Sequence, residues 1–207
     1  MTLNTQKSNK PAQHCQIRAV YDDDTITVYQ AYNSGIATAA VEAQRLDASP
    51  LFKPARMTWI KPSWNWMMYS YKDSNQNNVL ALKVKREFFE ELLRRSVESE
   101  SDETRRDGEQ VRVQWDPERN VRCGKLDVSR RVRSIQIGIP RGLKERWVED
   151  SITQIEDVTE RARQLKKVLD ENTVIDVEEL VRAGLLPVER VYTLPEDIER
   201  ILGITHS

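Results

Sequence analysis

The densest group of chemistry-bearing side chains runs from Met57 to Tyr69 and puts three of the five tryptophans, Trp59, Trp64 and Trp66, within eight residues. An indole ring packs or stacks and its N–H wants an acceptor, so such a cluster suits a nucleobase or nicotinamide as well as a core. Lys61 and Ser63 bracket Pro62 at a strand-to-helix junction, where the free N–H groups of a helix start could meet a phosphate. The alternative is an aromatic mini-core with a capping serine. A second group is Val28-Tyr29-Gln30-Ala31-Tyr32. Extended, it puts Gln30 and Tyr32 on one face, either to hold an amide and stack a ring or as a plain polar strand face. In Ile152–Val158, Gln154 and Glu156 stand two apart and share a face. A carboxylate held there could stabilise a cationic transition state; Glu149 and Asp150 compete for that role, and a solvent-facing polar pair is the alternative. The fourth group, Val113 to Arg119, either ends a strand at Asp116-Pro117 or presents Gln114, Asp116 and Arg119 to a ligand.

Composition removes other chemistries. The 207 residues include only two histidines, His14 and His206, one in each tail, so a histidine-based triad or a multi-histidine metal site is not expected. Seven glycines, none in a dinucleotide-fold or P-loop pattern, exclude those phosphate cradles. Two cysteines, Cys15 and Cys123, cannot build a disulfide framework. The polar start, Met1–Gln16, has no apolar stretch of a secretory signal, and no apolar run approaches the roughly 20 residues of a membrane span. The expectation is a cytoplasmic protein with no membrane partner and no metal; no feature sets an oligomeric state.

The formal charge of −1 conceals four blocks. Residues 1–86 hold 11 basic and 6 acidic side chains, 87–109 hold 4 and 9, 110–146 hold 10 and 4, and 147–207 hold 7 and 14. The third block concentrates Arg119, Arg122, Lys125, Arg130, Arg131, Arg133 and Arg141. It reads either as a face for nucleic acid or another anion, or as a solvated surface compensated by its acidic neighbours.

The elements that must position these residues follow from local pattern. Residues 1–16 read as a disordered arm, 17–195 as one domain and 196–207 as a tail. Strands are expected at Ile17–Tyr21, Thr25–Tyr32, Met57–Ile60, Val79–Val84, Val111–Trp115, Ser134–Ile139 and Ile152–Val158. Asn33-Ser34 should cap a helix from Gly35 to about Ala43, Ser63 one from Trp64 to Tyr69, and Thr159 one to about Glu171. Phe88, Phe89, Leu92 and Leu93 repeat at helical spacing, and Val177–Ala183 is a further short helix. Lys72–Asn78 reads as a turn, Ser96–Glu109 as a charged loop or frayed helix end, and Leu143–Glu149 as a helical turn. Strands and helices without regular alternation argue for an α+β domain with antiparallel-rich sheets.

The strings IRAVYDDDTITVYQAYNSGIATAAV, RMTWIKPSWNWMMY, VRVQWDPERN, RSIQIGI and ITQIEDVT resemble the domain-of-unknown-function family numbered 4291, from about Ile17 to Pro195. More distantly, the order of strand YQAY, helix IATAAVEA, the segment MTWIKPSWNWMMY, strand VLALKV and a late acid-bearing strand resembles ADP-ribosyltransferases that modify nucleic acid. That resemblance implies their fold and NAD as substrate, with transfer of ADP-ribose to a nucleic acid or protein. It implies that the first strand begins the NAD site with Gln30 and Tyr32, and with Arg18 as the nearby basic residue, since YQAY lacks the family's His or Arg. It places Lys61, Ser63, Trp64 and Tyr69 on the nicotinamide side, and Glu156, with Gln154, as the catalytic carboxylate. Such a site must bring Gln30, Ser63, Tyr69 and Glu156 into one cleft. The runner-up expectation is a non-enzymatic nucleic-acid-binding module using residues 112–146, Arg119, Arg122, Arg130, Arg131 and Arg133 among them, with the tryptophans.

Overall fold

The computed structural model describes residues 14–72, 78–98, 110–126 and 132–204. Its first paired segments are His14–Cys15 (β1) and Arg18–Ala19 (β2). Asp22 then turns the chain. Its Oδ1 accepts the N–H groups of Asp24 at 3.1 Å and Thr25 at 2.7 Å, a local side-chain turn that launches Thr25–Tyr32 (β3). Asn33 caps Ser34–Ala43 (α1) by accepting the Ile36 N–H at 3.0 Å. The helix ends at Gln44, held left-handed at φ 53. Gln44 is tolerated there because its amide copies a strand neighbour, accepting the Ile155 N–H at 2.8 Å and donating to the Ile155 carbonyl at 3.0 Å.

A loop leads to Thr58–Ile60 (β4), then to Trp64–Lys72 (α2), Asn78–Lys85 (β5) and Arg86–Arg94 (α3). Next come Ser96–Glu98 (β6), Val111–Pro117 (β7) and Val132–Ile139 (β8). One turn, Lys144–Arg146 (α4), opens into a wide turn over Trp147–Ser151. The chain closes with Ile152–Asp157 (β9), Thr159–Glu171 (α5), Val177–Arg182 (α6), Arg190–Val191 (β10) and Glu196–Ile201 (α7). None of the described helices is long and apolar enough to cross a membrane.

Two sheets dominate this mixed α and β domain. In the larger, β6, β7 and β8 lie side by side, and β1 and β4 share the far side of β8, β1 along its start and β4 along its end. The β7–β8 and β4–β8 pairs are antiparallel; the short β1–β8 and β6–β7 pairs are parallel. The smaller sheet, β3-β5-β9, is antiparallel throughout. Its inner face carries Ile26, Val28, Leu80, Leu82 and Ile155 into the main core with Phe89, Ile137 and Trp147. Its other face carries Tyr29, Val79 and Ala81 against Trp64, Met67 and Leu165. Both faces of β5 are therefore covered, which is why Val79–Val84 reads as an almost continuous apolar run. Each fully buried aliphatic or aromatic side chain stabilises this arrangement by about 1.5–3 kcal/mol.

Local expectations change at several points. The segment read as a C-terminal tail carries α7, whose Ile198 lies in the main core. Thr159 does not cap α5: Val158 stands at the cap, and Thr159 Oγ1 accepts the Val79 N–H at 2.9 Å instead. His14–Cys15 pairs with β8 although it falls in the segment read as a disordered arm. Ser96–Glu98 is a strand where a charged loop or frayed helix end is expected, because Ser96 to Glu98 find partners along Val111 to Val113. The strand at Val111 runs on through Asp116-Pro117, since Asp116 and Pro117 keep partners in Ser134 and Arg133. Most of the expected turn at Lys72–Asn78, residues 73–77, lies outside the described residues.

Candidate functional site

The two sheets touch where β3 meets the end of β4. The Tyr29 N–H donates to the Lys61 carbonyl at 2.8 Å and the Lys61 N–H donates back to Tyr29 at 3.2 Å. Gln30, 3% exposed, completes the join. Its Nε2 donates to Thr58 Oγ1 at 2.9 Å and to the Trp59 carbonyl at 3.1 Å, while its Oε1 accepts the Tyr32 hydroxyl at 3.0 Å. Burial pushes the Tyr32 phenol up to about 12, so it stays a donor at neutral pH.

A cleft of about 420 Å³ opens over this join, with Gln30 and Tyr32 on its wall and Phe52 and Trp59 at its sides. Lys53, Arg56, Lys61 and Lys144 line it, and none of the described lining residues is a carboxylate. Lys61 and Lys144 are buried. Burial holds the Lys61 amine below its ordinary range, partly opposed by the charge of Asp116, and burial alone brings Lys144 down to about 8. Four cations thus line one cleft, with the charge of Asp116 reaching Lys61 from outside its lining. A polyanion in the cleft would offset their charge.

Asp116 belongs to a polar ladder on one face of the β7–β8 pair. Gln136 Nε2 donates to its Oδ2 at 2.9 Å and Gln114 Nε2 to its Oδ1 at 3.1 Å. Gln114 stands opposite Gln136 and Asp116 opposite Ser134. Trp59 stands opposite Gly138 on the same face, since Gly138 is two residues beyond Gln136. A Cβ at Gly138 would lie 3.0 Å from Met57 Sδ and 3.2 Å from the Trp59 ring, so the glycine makes room for the indole. Burial raises the Asp116 carboxyl, against the hydrogen bonds from Gln136 and Gln114.

The start of α2 faces a different cavity, about 680 Å³, lined by Arg18, Asn65, Glu118, Arg119 and Glu189. Ser63 caps the helix, accepting the Trp66 N–H at 3.2 Å and donating to Glu118 Oε1 at 3.1 Å. The Trp64 N–H donates to Glu189 Oε1 at 2.5 Å. Burial, helped by the Glu118 charge, pushes the Glu189 carboxyl up to about 8. Arg119 lies 3.4 Å over the Tyr69 ring, and its backbone N–H donates to Glu118 at 2.8 Å. Trp64 packs edge-on against Tyr29 with ring centroids 5.4 Å apart.

The expected site residues therefore fall into separate places. Gln30, Tyr32 and Lys61 share the cationic cleft. Ser63, Trp64, Tyr69, Arg18 and Arg119 surround the start of α2, where Arg18 donates to the Glu189 carbonyl at 3.4 Å. Glu156 shares a cross-strand row with Ala81 and Tyr29, whereas Gln30 shares one with Leu80 and Asp157. Glu156 and Gln30 thus project from opposite faces of their sheet. Glu156 pairs instead with Arg161 at 3.2 Å, and Gln154 is exposed opposite Lys83. Glu149 lies 3.8 Å from Arg45 and borders a neighbouring cavity. The four residues expected to converge, Gln30, Ser63, Tyr69 and Glu156, do not form one cleft.

Two arginines of the basic stretch, Arg119 and Arg122, serve the fold. Arg122 donates to the carbonyls of Leu169, Asn172 and Thr173, closing the end of α5. Arg119 is buried beneath rings, and Arg133 on β8 contributes its charge near Asp116. Arg130 and Arg131 lie outside the described residues.

Sequence reasoning missed Lys144, Lys53, Arg56 and Gln136 as cleft or ladder residues. The grouping of Lys53, Arg56 and Lys61 within nine positions was a readable signal; Lys144, one cation in a charged segment, gave none. No curated protein sequence matches this chain. Residues 16–192 match the family described as domain of unknown function DUF4291, and the chain belongs to that family.

Proposed function

We propose that the cleft between the two sheets binds a dinucleotide of the NAD type, the substrate of ADP-ribosyltransferases, in a site built differently from the one that resemblance implies, since Gln30, Ser63, Tyr69 and Glu156 do not share a cleft. One observation carries this: four cations, two of them buried lysines, line a cleft that has aromatic sides and no carboxylate among its described lining residues. A pyrophosphate supplies the missing negative charge, and flanking rings suit Phe52, Trp59 and Tyr32. The first strand and the Lys61 region, which the resemblance assigns to the NAD site, meet at this point.

Cleaving NAD breaks the ribose–nicotinamide bond. Nicotinamide leaves with the electron pair and the ribose carries oxocarbenium charge, which a fixed carboxylate stabilises. Glu156 faces the other side of its sheet and no described lining residue of the cleft is a carboxylate, so we assign Asp116 a positioning role that acts through Lys61. Its charge acts on Lys61, and Gln114 and Gln136 hold it in place. The nucleic-acid-binding alternative draws no support from Arg119 and Arg122, which serve the fold.

Calorimetric titration with NAD, paired with an assay of released nicotinamide, tests this. Lys61→Met should weaken NAD binding about 10–100-fold, the scale of one charge-assisted hydrogen bond of about 1.5–3 kcal/mol. Asp116→Asn, which removes the charge acting on Lys61, should alter NAD binding, while Glu156→Gln leaves it unchanged. A flat titration to millimolar NAD overturns the reading. Loss of NAD binding in Glu156→Gln, with Asp116→Asn unchanged, overturns the placement of the site in this cleft.

A further inference from the structure

Lys144 is 4% exposed, yet it lines two cavities at once. One is the cationic cleft; the other, about 550 Å³, lies behind Phe52 and is bordered by Asp47, Arg141, Glu145 and Glu149. Phe52 and Lys144 are common to both walls, so the amine stands at the neck between them, 5.9 Å from the Phe52 ring centroid. Among the described residues, no carboxylate lies within ion-pair distance of its Nζ. The groups facing it from the cleft are Lys53, Arg56 and Lys61, all cationic. The acids of the second cavity have ion-pair partners elsewhere in two cases: Asp47 pairs with Arg45 at 2.9 Å and Glu149 lies 3.8 Å from the same arginine.

A desolvated lysine beside other cations is the arrangement that leaves an amine lone pair available near neutral pH. Burial is what makes protonation unfavourable, and the cations that line the same cleft would draw in an anion. We propose that Lys144 is a nucleophilic amine that takes phosphorylated aldehydes and aldoses as reversible imines. The phosphate is held by Lys53, Arg56 and Lys61, and the carbonyl carbon meets Lys144 Nζ. The nitrogen lone pair forms the C–N bond as the carbonyl π pair moves onto oxygen, and one proton passes from nitrogen to that oxygen, giving a carbinolamine. The hydroxyl then leaves with the second nitrogen proton as water, the nitrogen lone pair closes the C=N bond of the imine, and hydrolysis reverses each step. No oxidant, reductant or metal is consumed. The inference rests on the cationic cleft alone, not on NAD as its ligand.

The test uses pyridoxal 5′-phosphate as the probe on the whole chain, with cyanoborohydride to fix any imine and peptide mapping to locate it. The expected result is one dominant adduct on Lys144, formed at least ten-fold faster than on the exposed lysines at pH 7.5. Inorganic phosphate should slow it by competition. The rate should follow an ionisation near 8 rather than the ordinary lysine range, as the depressed basicity of Lys144 requires. Lys144→Arg, which keeps the charge and length, should abolish the adduct while the variant melts as one cooperative unit. Pyridoxal without the phosphate should label far more slowly. Dominant labelling at Lys61, or labelling spread over surface lysines at equal rates, overturns the proposal. So does reversible phosphate binding with no adduct, which would make Lys144 an anion ligand only. Because the readout is a covalent adduct made without NAD, a failed NAD titration leaves this result interpretable, and the converse holds.

Discussion

Glu189→Gln isolates one buried carboxyl whose energetic effect has a definite sign. Glu189 receives the Trp64 N–H at 2.5 Å, and burial beside Glu118 lifts its carboxyl from 4.5 to about 8. Between those values the folded chain holds a proton that the unfolded chain has released, so stability is greatest below about 4.5 and falls as pH rises to about 8. The displacement is roughly 3.5 pH units, which at about 1.4 kcal/mol per unit sets a ceiling of about 5 kcal/mol, and partial solvent access reduces it to about 2–3. Glutamine keeps an oxygen for the Trp64 N–H and cannot ionise. Urea unfolding of both proteins from pH 4.5 to 8.5 gives a difference curve in which titrations common to both, Asp116 among them, cancel. The wild type should lose about 2–3 kcal/mol against the variant across that window, with little further change above pH 8. A pH-independent difference would refute the reasoning, because it would mean that Glu189 ionises in the fold as readily as in water.

Lys144→Met should show the opposite limb. The wild-type amine falls from 10.5 to about 8, so wild-type stability should rise between pH 8 and 10.5 by up to about 3 kcal/mol and the variant's should not. Gly138→Ala should destabilise the fold by about 1–3 kcal/mol through crowding of Met57 and Trp59, and near-UV circular dichroism should change as the indole moves. Arg122→Ala should lower stability by about 1 kcal/mol by freeing carbonyls at the end of α5. Oligonucleotide retention should not change in that variant; a marked loss would return Arg122 to a binding role.

Elements specified by neighbours in sequence were readable, and pairings specified across the chain were not. The Asn33 and Ser63 caps rest on contacts within four residues and β5 on an unbroken apolar run, and each is present. The position of the acids is a matter of another kind. β9 and β7 both carry a Gln and an acid at spacing two, Gln154 with Glu156 and Gln114 with Asp116, and local pattern cannot tell which of them shares a sheet with β4. The register decides it: β4 and β7 both pair with β8, and β9 lies beyond β5. The Gln114, Asp116 and Arg119 group divides for a related reason. Gln114 and Asp116 alternate onto the ladder face, whereas Arg119 lies beyond the strand's last residue, Pro117, and turns towards the α2 rings. Lys144 could not be read at all, because its burial depends on Phe52 and the loop before β4 folding over it.

Gln30 shows why the cleft lies where it does. Two sheets that join through only a pair of backbone hydrogen bonds leave carbonyls beyond the join without strand partners, and a buried carbonyl without a donor destabilises the fold by about 1–3 kcal/mol. The Trp59 carbonyl is such a group, and Gln30 Nε2 satisfies it from the neighbouring strand while also holding Thr58. A hydrophobic residue of similar size would close the join by packing but strand the carbonyl. A charged one would leave its own charge buried next to Tyr32. A glutamine held by the Tyr32 hydroxyl meets both demands. The cleft lined by Lys61 and Lys144 opens over this same join. The polar residue that the sequence offered as a ligand contact therefore acts first as the part that satisfies the join, because its amide hydrogens are already taken by Thr58 and the Trp59 carbonyl.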